Sequence, residues 1–259
     1  ARRATASTTR PDPEAADTYW FHPPRLGERL GTLYRQLLAE YGPQEWWPAR
    51  HSFDMCAGAI LVQNTAWANA RRALDNIEAR GADSITGIAV LSRVELAELV
   101  RPSGYYNQKA AKLAAFCEHV LDNHDGDLGK FLSLPLDTLR EQLLAIWGIG
   151  AETADAIILY AAHQPSFVID TYTVRLLDRL GIAPADISRK RLRETVMAAL
   201  PPDLKQYAEL HALIIQHGKA TCRKTPDCGS CFLLAHCAHG QLQGIPGVRG
   251  VRAIPPDSA

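Results

Sequence analysis

The sequence predicts an all-α protein, and three observations support this prediction. Apolar residues recur every three or four positions through most of the chain, as amphipathic helices require. Alternating runs of β-branched residues, which would indicate strands, are scarce. Gly181 and Gly218 fall where two of the helical patterns are expected to end. We therefore expect about ten helices and no need for a sheet.

Composition limits the function classes without selecting one. The 259 residues include 28 Lys and Arg against 28 Asp and Glu, so the formal net charge is zero and gives no bulk indication of a nucleic-acid or membrane partner. Hydrophobic residues make up 47% of the chain, enough for a sizeable core. No apolar run is long enough for a transmembrane helix, and no apolar segment follows Arg2 and Arg3 as a secretory signal would require. We expect a cytoplasmic protein.

Both ends of the sequence are poor in residues that could be buried. Residues 1–17 are rich in Ala, Thr, Arg, Pro and Glu, and we expect a disordered tail there. Residues 240–259 carry several glycines and prolines, and we expect a second loose tail.

A helical hairpin is predicted at residues 143–162. Leu139, Leu143 and Ile146 give the first helix its apolar spacing, and a Gly-Ile-Gly turn separates it from the second. Glycines allow backbone angles that other residues resist, and Ile149 can tuck between the helices. The exposed amides at the start of the second helix would favour an anion such as a DNA phosphate. The alternative is an ordinary helical hairpin with glycines chosen for the turn.

Four cysteines lie close together near the end of the chain. Cys222, Cys228, Cys231 and Cys237 have the spacing C-x5-C-x2-C-x5-C, which favours a single metal centre over a disulfide knot in a chain without an export signal. Zinc and an iron–sulfur cluster both accept four thiolates, and the spacing favours the cluster. Arg223 and Lys224 lie between the first two cysteines and could contact phosphate. The isolated Cys56 and Cys117 are expected to be small buried apolar residues.

Asp170 directly precedes a helical pattern that starts at Thr171. One interpretation is a helix N-cap, which satisfies backbone donors. The other is a catalytic carboxylate, held ionised at the helix start and able to activate water beside a cationic sugar. The two roles are compatible.

The hairpin, the aspartate and the cysteine loop occur in the order found in the endonuclease III superfamily of base-excision DNA glycosylases, and residues 40–240 resemble that family. The resemblance implies a DNA glycosylase with Asp170 as the catalytic aspartate and a [4Fe-4S] cluster on the four cysteines. It also implies two lobes. Residues 18–43 and 165–239 would form the cluster domain, and residues 44–164 a helical barrel domain that carries the hairpin.

One residue departs from the bifunctional members of the resembled family. They carry a lysine shortly after the hairpin turn that forms a Schiff base with the sugar. Glu152 occupies the matching position here, and a carboxylate cannot form a Schiff base. The sequence therefore predicts a monofunctional enzyme that uses water, with weak or absent lyase activity. Glu152 could take part in catalysis near a cationic base, or it could be a helix-start glutamate that favours the dipole.

Several segments resemble the endonuclease III-like 3-methyladenine DNA glycosylases, among them Glu45–Pro48, Ile60–Trp67, Arg101–Ala110 and His217–Lys219. By this resemblance Trp46, Trp47, Pro48 and Trp67 line the base pocket and Lys219 is a pocket lysine. Aromatic faces suit a flat cationic purine, although core packing is the alternative for each tryptophan. Gln63 is expected to fill the gap left by a flipped base, and Tyr105 to wedge the opposite strand.

The expected partner is double-stranded DNA containing a damaged base, bound by a monomeric, nucleoid-associated enzyme without a membrane. Removal of mismatched adenine is disfavoured because Ala59 stands where that branch has its catalytic glutamate. Removal of mismatched thymine, non-catalytic binding of damaged DNA and redox sensing by a cluster protein remain as alternatives.

Overall fold

The protein is helical throughout the part that the computed structural model describes, residues 23–184 and 186–242. Within these residues there are thirteen α-helices and no strand, which confirms the predicted all-α class. The helices α1 to α13 are Pro23–Tyr41, Ser52–Leu61, Trp67–Ala79, Ile85–Ala89, Arg93–Leu99, Tyr106–His124, Leu128–Leu132, Leu136–Ala145, Ala151–Tyr160, Thr171–Arg179, Arg189–Ala199, Leu204–Ala220 and Ala238–Leu242. Their number exceeds the expected ten because several are short, such as the five-residue α4, α7 and α13.

The two predicted tails lie mostly outside the described residues. The tail predicted at 1–17 lies wholly outside them, as does 243–259 of the tail predicted at 240–259. Residues 240–242 belong to α13.

The described chain divides into two compact units. One unit joins residues 23–42, 171–201 and 213–242, and the other joins 43–170 and 202–212. The domains expected from the sequence place 165–170 and 202–212 with the cysteine loop, whereas here both segments lie in the second unit. Helix α12 contributes residues to both units.

The second unit is built around α2. Every residue of this helix from Phe53 to Leu61 is buried, since α3, α6 and α9 pack against it. Cys56 on α2 and Cys117 on α6 are both buried, as predicted. Burial raises the pKa of both thiols, so they remain protonated apolar fillers.

The first unit is held by α1 against α11. Leu26, Leu30, Leu33 and Leu37 on α1 step by three or four residues and are all buried. The two helices come so close that a Cβ added at Gly27 would lie 2.4 Å from the carbonyl oxygen of Ala199.

Gly218 does not end a helix, contrary to the expectation from the sequence, because α12 continues to Ala220. The glycine is required by packing instead. A Cβ at Gly218 would lie 2.4 Å from Cδ1 of Tyr172, so the ring of Tyr172 occupies the space of the missing side chain. Gly181 lies just beyond α10 with a φ of 62°, as a helix-ending glycine does.

Candidate active site

Asp170 ends a buried stretch of chain without regular structure and directly precedes α10. Phe167, Val168 and Ile169 before it are buried, and the ring of Phe167 packs edge-on against Tyr207 of α12 at 5.4 Å between centroids. Packing therefore fixes the segment before the aspartate against α12. Asp170 itself is only 6% exposed, so its carboxylate lies in a protected environment.

The hairpin is also tied to this segment through a buried carboxylate. Asp155 of α9 accepts hydrogen bonds from Nε of Arg140 on α8 at 2.9 Å and from the hydroxyl of Ser166 at 2.7 Å. One side chain therefore links both helices of the hairpin to the stretch that leads into Asp170.

His211 lies one helical turn beyond Tyr207 and faces the same aspartate. Its Nε2 is 3.7 Å from Oδ2 of Asp170, and the side chain is almost completely buried. Sequence reasoning missed this residue. The available signal was a histidine among the apolar residues Leu210, Leu213 and Ile214 on α12.

Tyr160, the last residue of α9, completes the group. Its hydroxyl lies 2.7 Å from Nδ1 of His211 and 3.3 Å from the carbonyl oxygen of Ala208. Burial, with the nearby carboxylates of Asp170 and Glu209, raises the pKa of Tyr160 well above its ordinary value. The phenol therefore keeps its proton at neutral pH.

The three predicted pocket tryptophans are in mutual contact. Trp47 lies 5.1 Å from both Trp46 and Trp67 between ring centroids, and Trp46 and Trp67 are 6.2 Å apart. All three are partly exposed, whereas Pro48 beside them is exposed. We call Trp46, Trp47 and Trp67 the tryptophan cluster. Because Trp47 also contacts Tyr160 at 5.6 Å, the cluster continues into the group around Asp170.

The hairpin formed by α8 and α9 turns at residues 146–150. Gly148 has a φ of 85°, so its glycine is required, and Ile149 is buried as predicted. Gly150 is the N-cap of α9 with a φ of −93°, where an added Cβ would meet nothing within 4 Å. The expectation that both glycines serve the backbone angles is therefore wrong for Gly150. Glu152 lies exposed in the first turn of α9.

Gln63 is held against this turn. Its amide nitrogen donates to the carbonyl oxygen of Gly148 at 3.3 Å and to the hydroxyl of Thr153 at 3.0 Å. Lys112 donates to its Oε1 at 2.5 Å. Three contacts therefore fix the side chain predicted to enter the DNA stack.

Tyr105 is strongly exposed, with 71% of its surface accessible to solvent. It has a left-handed φ of 47°, an uncommon conformation for a bulky residue. Nearby, the ammonium of Lys109 donates to the carbonyl oxygens of Leu61 at 2.8 Å and Ser103 at 2.6 Å. This buried lysine ties the C-terminal end of α2 to the turn before Tyr105. Burial and the charge of Lys112 lower the pKa of Lys109 to about 8.

The four cysteines of the predicted cluster site line one cavity in the other unit. All four are free thiols, so the alternative of a disulfide knot has no support in this structure. In the part of the chain that the structure describes, no three His, Cys, Asp or Glu side chains are grouped to hold a single metal ion. Zinc needs its four sulfurs within about 2.3 Å of one centre. Four free thiols lining one cavity suit a thiolate-bound metal centre, and zinc and an iron–sulfur cluster both accept that donor set.

Two arginines of α10 hold the backbone of the cysteine loop. Arg175 donates to the carbonyl oxygens of Cys222 at 2.9 Å and Gly218 at 3.1 Å. Arg179 donates to the carbonyl oxygens of Arg223 at 2.6 Å and Lys224 at 2.9 Å and to Sγ of Cys222 at 3.2 Å.

Three predicted ligand-binding cations lie in the same unit as the cysteines. The side chains of Arg223 and Lys224 are exposed beside Cys222. Lys219 is exposed in the last turn of α12. The other sequence-predicted site residues, from Trp46 to Asp170, belong to the second unit.

None of the helices in residues 23–184 and 186–242 combines the length and the apolar character needed to cross a bilayer.

Comparison with known proteins identifies relatives over most of the chain. Residues 57–202 match the family model described as HhH-GPD superfamily base excision DNA repair protein. A protein of Methanocaldococcus jannaschii, whose name describes a DNA repair glycosylase, is 39% identical over 81% of this chain and 96% of its own length. Endonuclease III of Escherichia coli is 29% identical over 56% of this chain and 64% of its own length.

Solved structures share the fold. An endonuclease III in a non-covalent complex with DNA superposes with a TM-score of 0.73 at 21% identity, covering 84% of this chain and 98% of that chain. A 3-methyladenine DNA glycosylase of H. pylori bound to 1,N6-ethenoadenine superposes with a TM-score of 0.65 at 29% identity, covering 75% of this chain and 97% of that chain.

Proposed function

Because the chain belongs to the HhH-GPD superfamily of base excision DNA repair proteins and is a DNA glycosylase, we propose that it removes an alkylated purine such as 3-methyladenine by hydrolysis. The observation that carries this proposal is the contact between Trp47 and Tyr160, which links the tryptophan cluster, through His211, to the buried Asp170. An aromatic surface suits a flat cationic base, and a carboxylate suits the cationic sugar left behind. The named activity of the H. pylori relative supports the same base class.

The proposed reaction needs little acid assistance from the protein for the base to leave. The bond between C1′ and the base nitrogen breaks, and its electron pair leaves with the base, which becomes neutral if it was a methylated cation. The oxygen of a water forms the new bond to C1′, and Asp170 accepts the proton of that water. The carboxylate also stabilises positive charge on the sugar before the water adds.

Glu152 supports hydrolysis without a covalent intermediate. It occupies the first turn of α9, where a lysine would be needed for Schiff-base chemistry. Its side chain is a carboxylate and lacks the amine that forms a Schiff base. The enzyme is therefore proposed to be monofunctional.

Most of the proposed DNA contacts are made by elements of the second unit. The first amides of α9, after Gly150, are placed to bind a phosphate. Gln63 would fill the gap of the flipped nucleotide, and the exposed Tyr105 would separate the opposite base from its neighbour. Arg223 and Lys224 on the cysteine loop would add phosphate contacts, and the enzyme would act on double-stranded DNA as a monomer.

A [4Fe-4S] cluster is proposed as the group that the four cysteines hold, with zinc as the second choice. The thiolates of all four cysteines would ligate the cluster, and this would fix the loop that carries Arg223 and Lys224. Lys219, at the end of α12, is proposed as a pocket lysine by resemblance alone.

A panel of damaged duplexes tests the proposed function. It should contain 3-methyladenine, oxidised pyrimidines, uracil, thymine opposite guanine and adenine opposite oxidised guanine, each followed by alkali or an abasic endonuclease. We expect release of the alkylated base, with no release by Asp170→Asn. Release of oxidised pyrimidines alone would contradict the assigned base class, and release of thymine alone would favour the mismatch enzyme. Strand cleavage by the wild type without alkali would contradict the monofunctional assignment.

A further inference from the structure

Tyr160, His211 and Asp170 form one group, and their arrangement indicates which ring nitrogen of His211 carries the proton. His211 Nε2 is buried and has no hydrogen-bond partner among the described residues, although Asp170 Oδ2 faces it at 3.7 Å. Nδ1 on the other side of the ring lies 2.7 Å from the hydroxyl of Tyr160. Neutral imidazole carries a proton on only one of these nitrogens.

Two arrangements of hydrogens are available to a neutral imidazole at this position. In the first, Tyr160 donates to Ala208 and accepts from Nδ1, which leaves the lone pair of Nε2 facing a carboxylate. In the second, Tyr160 donates to Nδ1, and Nε2 carries its proton toward Asp170. Both arrangements keep the 2.7 Å contact between Tyr160 and Nδ1, and the first also keeps the 3.3 Å contact to Ala208. Only the second replaces a buried repulsion between Nε2 and the carboxylate by an attraction, and this decides for it.

The phenol is well suited to its part in the second arrangement. The raised pKa keeps its proton in place. Its ring is fixed between the rings of Trp47 at 5.6 Å and His211 at 6.0 Å. The proton of Tyr160 therefore decides the tautomer of the imidazole, much as a second hydrogen-bond partner fixes the ring nitrogen that faces a metal.

We propose that His211 is a positioning residue for Asp170, with its Nε2–H directed at the carboxylate by the donor Tyr160. This proposal rests on the proposed role of Asp170 in hydrolysis. The separation of 3.7 Å is longer than a hydrogen bond. Such contacts often shorten when substrate binds. The imidazole then fixes the orientation of the carboxylate toward the attacking water.

Two substitutions of His211 distinguish its contact with Asp170 from its contact with Tyr160. In His211→Gln the side-chain amide reaches the position of Nε2 and can still donate to Asp170. In His211→Asn the shorter amide reaches only the position of Nδ1 and can contact Tyr160 but not Asp170. Both are polar and similar in size, so each serves as the structural control of the other.

The assay is single-turnover release of methylated bases from duplex DNA treated with tritiated dimethyl sulfate, using the full chain. We expect His211→Asn to be slower by roughly 10- to 100-fold, with unchanged affinity for an abasic-site duplex, because a small misplacement of a catalytic group is this costly. His211→Gln should stay close to the wild-type rate. Equal rates for the two variants, whether both fast or both slow, would overturn the positioning role.

A second measurement does not depend on activity. Nitrogen-15 NMR of the imidazole in the wild type should show the Nε2–H tautomer, and Tyr160→Phe should shift the population toward the other tautomer. An Nδ1–H tautomer in the wild type would overturn the proposal. Asp170→Asn distinguishes a failure of the proposed function from a failure of the proposed role of His211. If it releases base at the wild-type rate, the proposed function fails. If it is inactive while His211→Asn is fully active, only the role of His211 fails.

Discussion

Lys112 and Gln63 are joined by a hydrogen bond of 2.5 Å from Nζ to Oε1, and the amide nitrogen of the same glutamine donates into the hairpin turn. The side chain proposed to enter the DNA stack is therefore already fixed at the hairpin. This arrangement reduces the conformational entropy that inserting the glutamine would otherwise cost.

Gln63→Ala should slow base release from duplex DNA by about 10-fold and change release from single-stranded DNA much less, because only the duplex has a gap to fill. Single-turnover rates on the two substrates measure this difference. Gln108→Ala, an exposed glutamine on α6, is the control. An equal loss on both substrates would mean that Gln63 acts in some other step.

Gly148→Ala and Gly150→Ala should differ in stability. At Gly148 the φ of 85° disfavours alanine, and the new Cβ would lie 2.3 Å from Cγ of Lys112. We expect a loss of about 1–3 kcal/mol in the free energy of unfolding, measured in urea. Gly150→Ala meets no atom within 4 Å and should unfold like the wild type.

Gly150→Ala should nevertheless weaken binding to an abasic-site duplex, since its Cβ would stand at the N-terminus of α9 where a phosphate is proposed to bind. Fluorescence anisotropy measures the affinity. Unchanged affinity would place the phosphate elsewhere.

Glu152→Lys should create a covalent adduct with abasic-site DNA that borohydride traps, whereas the wild type should give none. The substitution puts an amine at an exposed position in the first turn of α9. Denaturing gel electrophoresis detects the adduct. Glu141→Lys, an exposed glutamate on α8, is the control for added positive charge. A wild-type adduct of equal yield would contradict hydrolysis by water alone.

Asp54 should make stability depend on acid pH. Burial alone would raise the pKa of this carboxyl group, but hydrogen bonds from Arg71 and Arg50 outweigh burial and hold the pKa below its ordinary value. A lowered pKa means that the ionised pair stabilises the fold above the unfolded-state value, near 4, and that this contribution is lost as pH falls through the folded-state value.

The difference in unfolding free energy between the wild type and Asp54→Asn measures this contribution. It should be greatest at neutral pH and decline as the pH falls below about 4, where the carboxyl group gains its proton. A difference that stays constant with pH would show that the asparagine disrupts packing instead of removing a charge.

Arg179→Met should weaken the cysteine loop, because this guanidinium donates to the carbonyl oxygens of Arg223 and Lys224 and to Sγ of Cys222. With the proposed [4Fe-4S] cluster on the four cysteines, we expect the purified variant to lose visible absorbance and iron to a chelator several times faster than the wild type. Arg25→Met, at an exposed position on α1, is the control. Equal rates would mean that the cysteines alone fix the loop.

The sequence by itself determined the parts of this protein that depend on local spacing. The all-α class, the start of α10 at Thr171 after Asp170, the buried Ile149 and the family membership follow from patterns a few residues long. Such patterns are readable because helix periodicity and turn chemistry are properties of neighbouring residues.

Only the tertiary structure decided which distant residues meet. Tyr160 and His211 are 51 positions apart and touch because the segment of Phe167 packs on Tyr207 of α12. The carbonyls that Lys109 joins, and the ring of Tyr172 that requires a glycine at 218, are likewise contacts between separate elements. Burial and close packing select these pairs after the chain has folded, so no local pattern records them.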